Sequence, residues 1–266
     1  MYRKIILPII LMIVFVALIV FIVGIKESIQ LSIKSTTNKE KVPVENLDSE
    51  IIDESDGSNQ YKILMLGDSL GLGSGDAKGS DIGSYYKMIQ SKDNAETIQT
   101  INIARNGAKI KDLLTQIERE ETKALIKKSN LIILSIGGND MKTILESSDL
   151  NLLLDYQVLA QIYEETFKEI LNNIKKSNPE GQVAIIGLYN PFGEEISKEK
   201  VQILLNWNHL TKSIIENYSN VAYIETYDLF KYNLSDYLSI DAFHPNTLGY
   251  KAISRQLSLV LDGFEE

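Results

Sequence analysis

Apolar residues fall into two kinds of run along this chain. One is a single long stretch, Ile5 to Ile25, preceded by Arg3 and Lys4. The other is a series of short runs spread through the rest: Tyr61–Leu66, Thr100–Ile103, Leu131–Ile136, Gln182–Leu188 and Val221–Ile224. Several of these are nearly continuous Ile, Leu and Val, the pattern of strands buried on both faces. Between them the spacing turns helical. Ile110, Leu113, Leu114 and Ile117 share one face, as do Tyr156, Leu159, Tyr163, Ile170 and Ile174. Val201, Leu204, Leu205 and Asn208 begin another helix, and Thr247 to Val260 reads as the last. Alternating strands and helices predict the α/β class, a parallel sheet covered on both sides.

The first run has membrane dimensions. Its 21 residues, at ~1.5 Å rise each, span ~31 Å, which matches the ~30 Å hydrocarbon core of a bilayer. A secretory signal has a shorter apolar core followed by small residues at a cleavage site. Val23-Gly24-Ile25 offers no such site, so an uncleaved anchor is the expectation and a cleaved export signal the alternative. The basic flank at Arg3 and Lys4 puts residues 1–4 in the cytoplasm, a transmembrane anchor at 5–25, and everything after it outside. Residues 26–60 are polar and charged and read as a flexible tether. Residues 61–266 suit one catalytic domain.

Composition removes several function classes. The chain has no cysteine, which excludes disulfides, thiolate metal sites and a lipid-modified cysteine anchor. Its two histidines, His209 and His244, are far apart in sequence, leaving a transition metal little to bind, so neither metal nor cofactor is expected. A net charge of −9 argues against nucleic acid, which needs a basic surface.

Four polar blocks follow the apolar runs. They are Gly67-Asp68-Ser69-Leu70, Asn106-Gly107, Gly137-Gly138-Asn139-Asp140 and Asp241-Ala242-Phe243-His244-Pro245. Together they offer a hydroxyl nucleophile, a backbone N–H, a side-chain amide and an acid–base pair, the parts needed for acyl transfer through an oxyanion. Blocks placed after successive strands of a parallel sheet converge at its carboxyl edge, where such sheets bind ligands.

These blocks, in this order, resemble the GDSL esterase/lipase family, also called the SGNH hydrolases, from about Tyr61 to about Val260. The His-Pro-Asn-Thr-Leu-Gly-Tyr run at 244–250 resembles the family's C-terminal ending. The resemblance implies a flavodoxin-like three-layer α/β/α sandwich with five main strands. It implies Ser69 as nucleophile, His244 as base and Asp241 as the acid that orients it. It also implies an oxyanion hole made of the Ser69 and Gly107 N–H groups and the Asn139 amide.

Other readings of the same residues stand beside these. Ser69 could cap a helix beginning near Leu70, Asn139 could be a turn amide and Asp140 a cap. Asp68 reads as structural, bonding neighbouring loops. Gly67 to Gly71 also satisfies G-x-S-x-G, but it follows the first strand of its domain, and Asp241 and His244 share one loop, which opposes the α/β-hydrolase fold. The glycines at 71, 73, 75 and 79 fail the phosphate-cradle pattern and read as a flexible loop. His209 reads as a surface or packing residue, and Trp207 as core rather than a substrate platform.

The expected activity is extracytoplasmic hydrolysis of carboxylic esters. Leu70, Leu72, Met141, Ile144, Leu145, Tyr189, Phe192 and Phe243 are expected to border the cleft and favour an acyl chain. A small-molecule or lipid ester is therefore the expected substrate, and the membrane a partner through the N-terminal helix. The alternatives are a cell-wall carbohydrate O-deacetylase and a non-catalytic envelope scaffold.

Overall fold

In a computed structural model, the described residues are 60–91, 97–146 and 152–263. The anchor expected at 5–25 and nearly all of the tether lie outside them. Among the described residues no helix is long and apolar enough to cross a membrane.

Five strands form one sheet: β1 (Gln60–Gly67), β2 (Thr97–Asn102), β3 (Leu131–Ser135), β4 (Gln182–Ile186) and β5 (Val221–Ile224). Gln60, assigned to the tether from sequence, is already the first residue of β1. Every pairing is parallel and the order is β2-β1-β3-β4-β5. This is the flavodoxin-like order, whose reversal lies between β1 and β3.

The strand period of two divides each strand between two cores. Leu64, Leu66, Ile132, Leu134, Val183 and Ile185 face one core. There they meet α3 (Ile110–Ile117), α4 (Glu120–Lys128), α5 (Gly138–Glu146), α6 (Leu152–Ser177) and α7 (Lys198–Ile215). Ile63, Met65, Leu131, Ile133, Ala184 and Ile186 face the other, against α2 (Ile82–Gln90), α8 (Tyr227–Lys231) and α10 (Thr247–Asp262). Two short helices, α1 (Ser69–Leu72) and α9 (Leu234–Tyr237), complete the described elements. All of β3 is buried, and each fully buried Leu or Ile contributes roughly 1.5–3 kcal/mol of transfer free energy. Trp207 belongs to this core, 1% exposed and packed on Tyr163 with ring centroids 4.1 Å apart.

The junction of β1 and β3 leaves no room for a side chain. Gly67 pairs with Ser135 at a φ of +123°, and a Cβ there would sit 1.8 Å from the Ser135 carbonyl oxygen. Glycine alone accepts that backbone and that approach. The chain then turns sharply out of the sheet and presents Ser69 above its carboxyl edge.

Candidate active site

Ser69 is the first residue of α1, and the cap is Asp68 rather than Ser69. The Asp68 carboxylate accepts a hydrogen bond from the Leu70 N–H at 3.1 Å and another from the Ser135 hydroxyl at 2.6 Å. Those bonds fix the turn from both sides, through the helix start and the neighbouring strand. Burial raises the Asp68 pKa to about 6, although these donors, the Gly71 N–H and nearby His244 pull it down. With Asp68 serving as cap, the Ser69 hydroxyl is left for another partner.

That partner is His244, whose Nε2 lies 2.8 Å from Ser69 Oγ. On the other side of the ring, Nδ1 lies 2.7 Å from Asp241 Oδ2. An ionised carboxylate only accepts, so Nδ1 carries the proton and the Nε2 lone pair faces the serine O–H. Burial pushes the Asp241 carboxyl up. Donation from the His244 ring, the Ser239 hydroxyl and the His244 and Phe243 N–H groups outweighs it and holds the acid well below the usual carboxylate range. Asp241 and His244 come close because Ala242 between them takes a φ of +54°. The turn is fastened underneath, where the Tyr189 hydroxyl donates to the Phe243 carbonyl at 2.7 Å and the Ser239 N–H to the His244 carbonyl at 2.8 Å.

Asn139 stands in the first turn of α5, after β3. One of its amide hydrogens is donated to the Ala108 carbonyl at 3.0 Å, which orients the group and leaves the second hydrogen for a ligand. The next residue, Asp140, accepts from the Ile110 N–H at 3.1 Å, so it caps the start of α3 from the neighbouring helix. Burial raises its pKa against that bond. Two adjacent residues of the third block thus clamp the 105–110 turn, which carries Gly107.

Ser69, Asn139 and His244 open on one apolar cleft. Of the residues expected to border it, Leu70, Met141, Leu145, Tyr189, Phe192 and Phe243 do so. Leu72 instead points to solvent, 42% exposed, and Ile144 packs into the core. Leu188, Pro191 and Leu204 also line the cleft and were not anticipated. The Asn190-Pro191-Phe192 turn just beyond β4 was the available signal. Gly107 does not line this cleft; it borders an adjacent shallow depression with Lys109 and Lys142, and Asn139 belongs to both. His209 is exposed on α7 and lines neither.

The chain as a whole is similar to known proteins. Residues 63–257 match the family described as GDSL-like Lipase/Acylhydrolase. The Bacillus subtilis protein YpmR is 29% identical over 201 residues, covering 73% of this chain and 79% of its own. The spore germination lipase LipC of Bacillus licheniformis is 28% identical over 208 residues, covering 74% and 94%. Among solved structures, the lipase Lip_vut3 from goat rumen metagenome superposes with a TM-score of 0.64 at 25% identity, over 76% of this chain and 97% of that one. With the match running from the middle of β1 into α10, this chain belongs to the GDSL-like lipase/acylhydrolase family of ester hydrolases.

Proposed function

We propose that this protein is a membrane-anchored, extracytoplasmic serine esterase that acts on acyl esters, with Ser69, His244 and Asp241 as its triad. The observation that carries this reading is the continuous path from Asp241 Oδ2 to His244 Nδ1 and from His244 Nε2 to Ser69 Oγ. Ser69 Oγ attacks the ester carbonyl carbon while His244 Nε2 takes its proton. The carbonyl oxygen becomes an oxyanion held by the Ser69 N–H and the free Asn139 N–H, with the Gly107 N–H reaching it from the adjoining depression that Asn139 also borders. Collapse breaks the bond to the alcohol oxygen, which leaves with the proton from His244. Water, deprotonated by the same nitrogen, then attacks the acyl-enzyme and releases the acid. Asp241 keeps the imidazole in the required tautomer and supports the imidazolium.

The apolar cleft beside Ser69 favours an acyl chain over a sugar, and the lipase names of LipC and Lip_vut3 point the same way. On p-nitrophenyl esters from acetyl to palmitoyl, the full chain is expected to give a kcat/KM that rises beyond acetyl. A strict preference for acetyl would favour the glycan deacetylase reading instead. A fluorophosphonate probe is expected to label Ser69, and an unlabelled, inactive protein would favour a scaffold.

The anchor rests on the length of Ile5–Ile25 and its basic flank. Protease added to intact protoplasts is expected to digest the catalytic domain. Full protection would reverse the orientation, and release of the domain into the medium would indicate a cleaved signal.

A further inference from the structure

The glycine-containing loop after Ser69 is tied down where it passes behind the histidine turn. Its first residues are bonded back to α1: the Ser74 N–H donates to the Ser69 carbonyl at 3.0 Å, and the Tyr250 hydroxyl donates to the Leu70 and Ser74 carbonyls at 3.2 and 2.8 Å. Gly75, at a φ of +90°, then lies flat against the back of the histidine turn. A Cβ at this position would be 2.6 Å from the Pro245 carbonyl oxygen and 2.8 Å from His244 Cβ.

The next residue, Asp76, has four donors. Its Oδ1 accepts from the Tyr85 hydroxyl at 2.9 Å and from the Thr247 hydroxyl. Its Oδ2 accepts from the Lys78 and Ser80 N–H groups at 2.9 and 2.8 Å. A carboxylate has about four lone-pair sites, and here all are used. Burial works to raise the Asp76 pKa, and these donors reverse it, so the group stays charged. Tyr85 belongs to α2, and Thr247 opens α10 three residues after His244.

We propose that Asp76 is a positioning residue for hydrolysis: by joining the loop that begins at Ser69 to the start of α10, it holds His244 at hydrogen-bonding distance from Ser69. The proposal rests on Ser69 and His244 being the reacting pair. Neither residue's own neighbours could set that distance alone, because they lie 175 positions apart in sequence. The glycine at 75 lets the loop reach the histidine turn, and the carboxylate at 76 fixes it there.

The chain has only two histidines, so selective ¹⁵N-histidine labelling of the full chain in detergent gives two separable ring signals, with His209 as internal reference. Asp76→Ala is expected to shift or broaden the His244 ring signals and leave those of His209 unmoved. Because a misplacement of about 1 Å costs on the order of 100-fold, kcat is expected to fall ~10–100-fold with KM within about twofold. Gly75→Ala is expected to move the same signals. A folded Asp76→Ala protein with wild-type His244 signals and kcat would overturn the proposal, even if its melting temperature fell. Should that variant not fold, Thr247→Val decides: it removes one donor, and His244 signals and kcat unchanged from wild type would overturn the proposal equally. Failure of the esterase reading looks different, because the wild-type chain would then neither hydrolyse esters nor react with the phosphonate.

Discussion

Ser69→Ala and His244→Ala are each expected to lower kcat on a short-chain ester by roughly a million-fold, and the double variant is expected to be no worse than either alone. The reason is geometric. Every proton that His244 Nε2 moves belongs to a step on the ester held at the Ser69 oxygen 2.8 Å away, so neither atom has work to do without the other. Groups that act as one unit are strongly non-additive, so the cost of the second substitution is small once the first is made. Asp241→Asn is expected to lose about 10,000-fold, because an amide stabilises the wrong imidazole tautomer. His209→Ala is expected to stay within about twofold, since that ring is exposed and lines no part of the cleft. Circular dichroism should show all of these variants folded. Equal losses in the two single histidine variants would show that His244 is not the distinctive base, and losses that simply multiply in the Ser69/His244 double variant would show that the pair does not work as a unit.

How legible these features were in the sequence depends on how local their causes are. Strands β1, β3 and β4 announce themselves because both faces are buried, which forces continuous Ile, Leu and Val. β2 was harder: it is an edge strand with exposed Thr97 and Gln99, so its apolar signal is diluted, and it begins three residues before the run read from sequence. Helices α3, α6, α7 and α10 show clear stripes. α4 has the sequence Glu-Glu-Thr-Lys-Ala-Leu-Ile-Lys-Lys with its apolar residues adjacent, so no stripe exists to be read. The first three polar blocks were legible because each follows a strand, the fourth because its acid and histidine share one short turn before the last helix, and the topology brings these distant segments to one edge.

What stayed hidden were relations between segments. Nothing local says that Asp68 rather than Ser69 caps α1, since both residue types favour that position; the Ser135 hydroxyl across the sheet settles it. Nothing local says that Asp140 caps α3, or that Asp76 meets Thr247 across 171 positions. The glycine loop reads as flexible from its composition, whereas in the structure Gly75 packs on the histidine turn and Asp76 accepts from four donors. The cleft prediction erred at Leu72 and Ile144 because a residue's place on a short helix, not its hydrophobicity, decides whether it faces a cavity.

Asn139→Ala is expected to leave KM near its wild-type value while kcat falls ~100–1,000-fold, equivalent to ~2.7–4 kcal/mol. An oxyanion donor is aimed at charge that exists only in the transition state, so its loss is felt in turnover rather than in binding. The local structure adds a second effect of the same sign. Removing the amide also frees the Ala108 carbonyl, and the 105–110 turn carrying Gly107 loses one of its two ties to α5, keeping only the Asp140–Ile110 bond. Asn139→Asp is expected to be at least as harmful. Its carboxylate would face the Ala108 carbonyl oxygen and the developing oxyanion together, with no hydrogen to give to either. Steady-state kinetics on one short-chain ester, with the fold checked by circular dichroism, separates the outcomes. A raised KM with kcat unchanged would mean that Asn139 helps hold the substrate only. The oxyanion would then rest on backbone N–H groups alone, and the third polar block would serve chiefly to clamp the Gly107 turn.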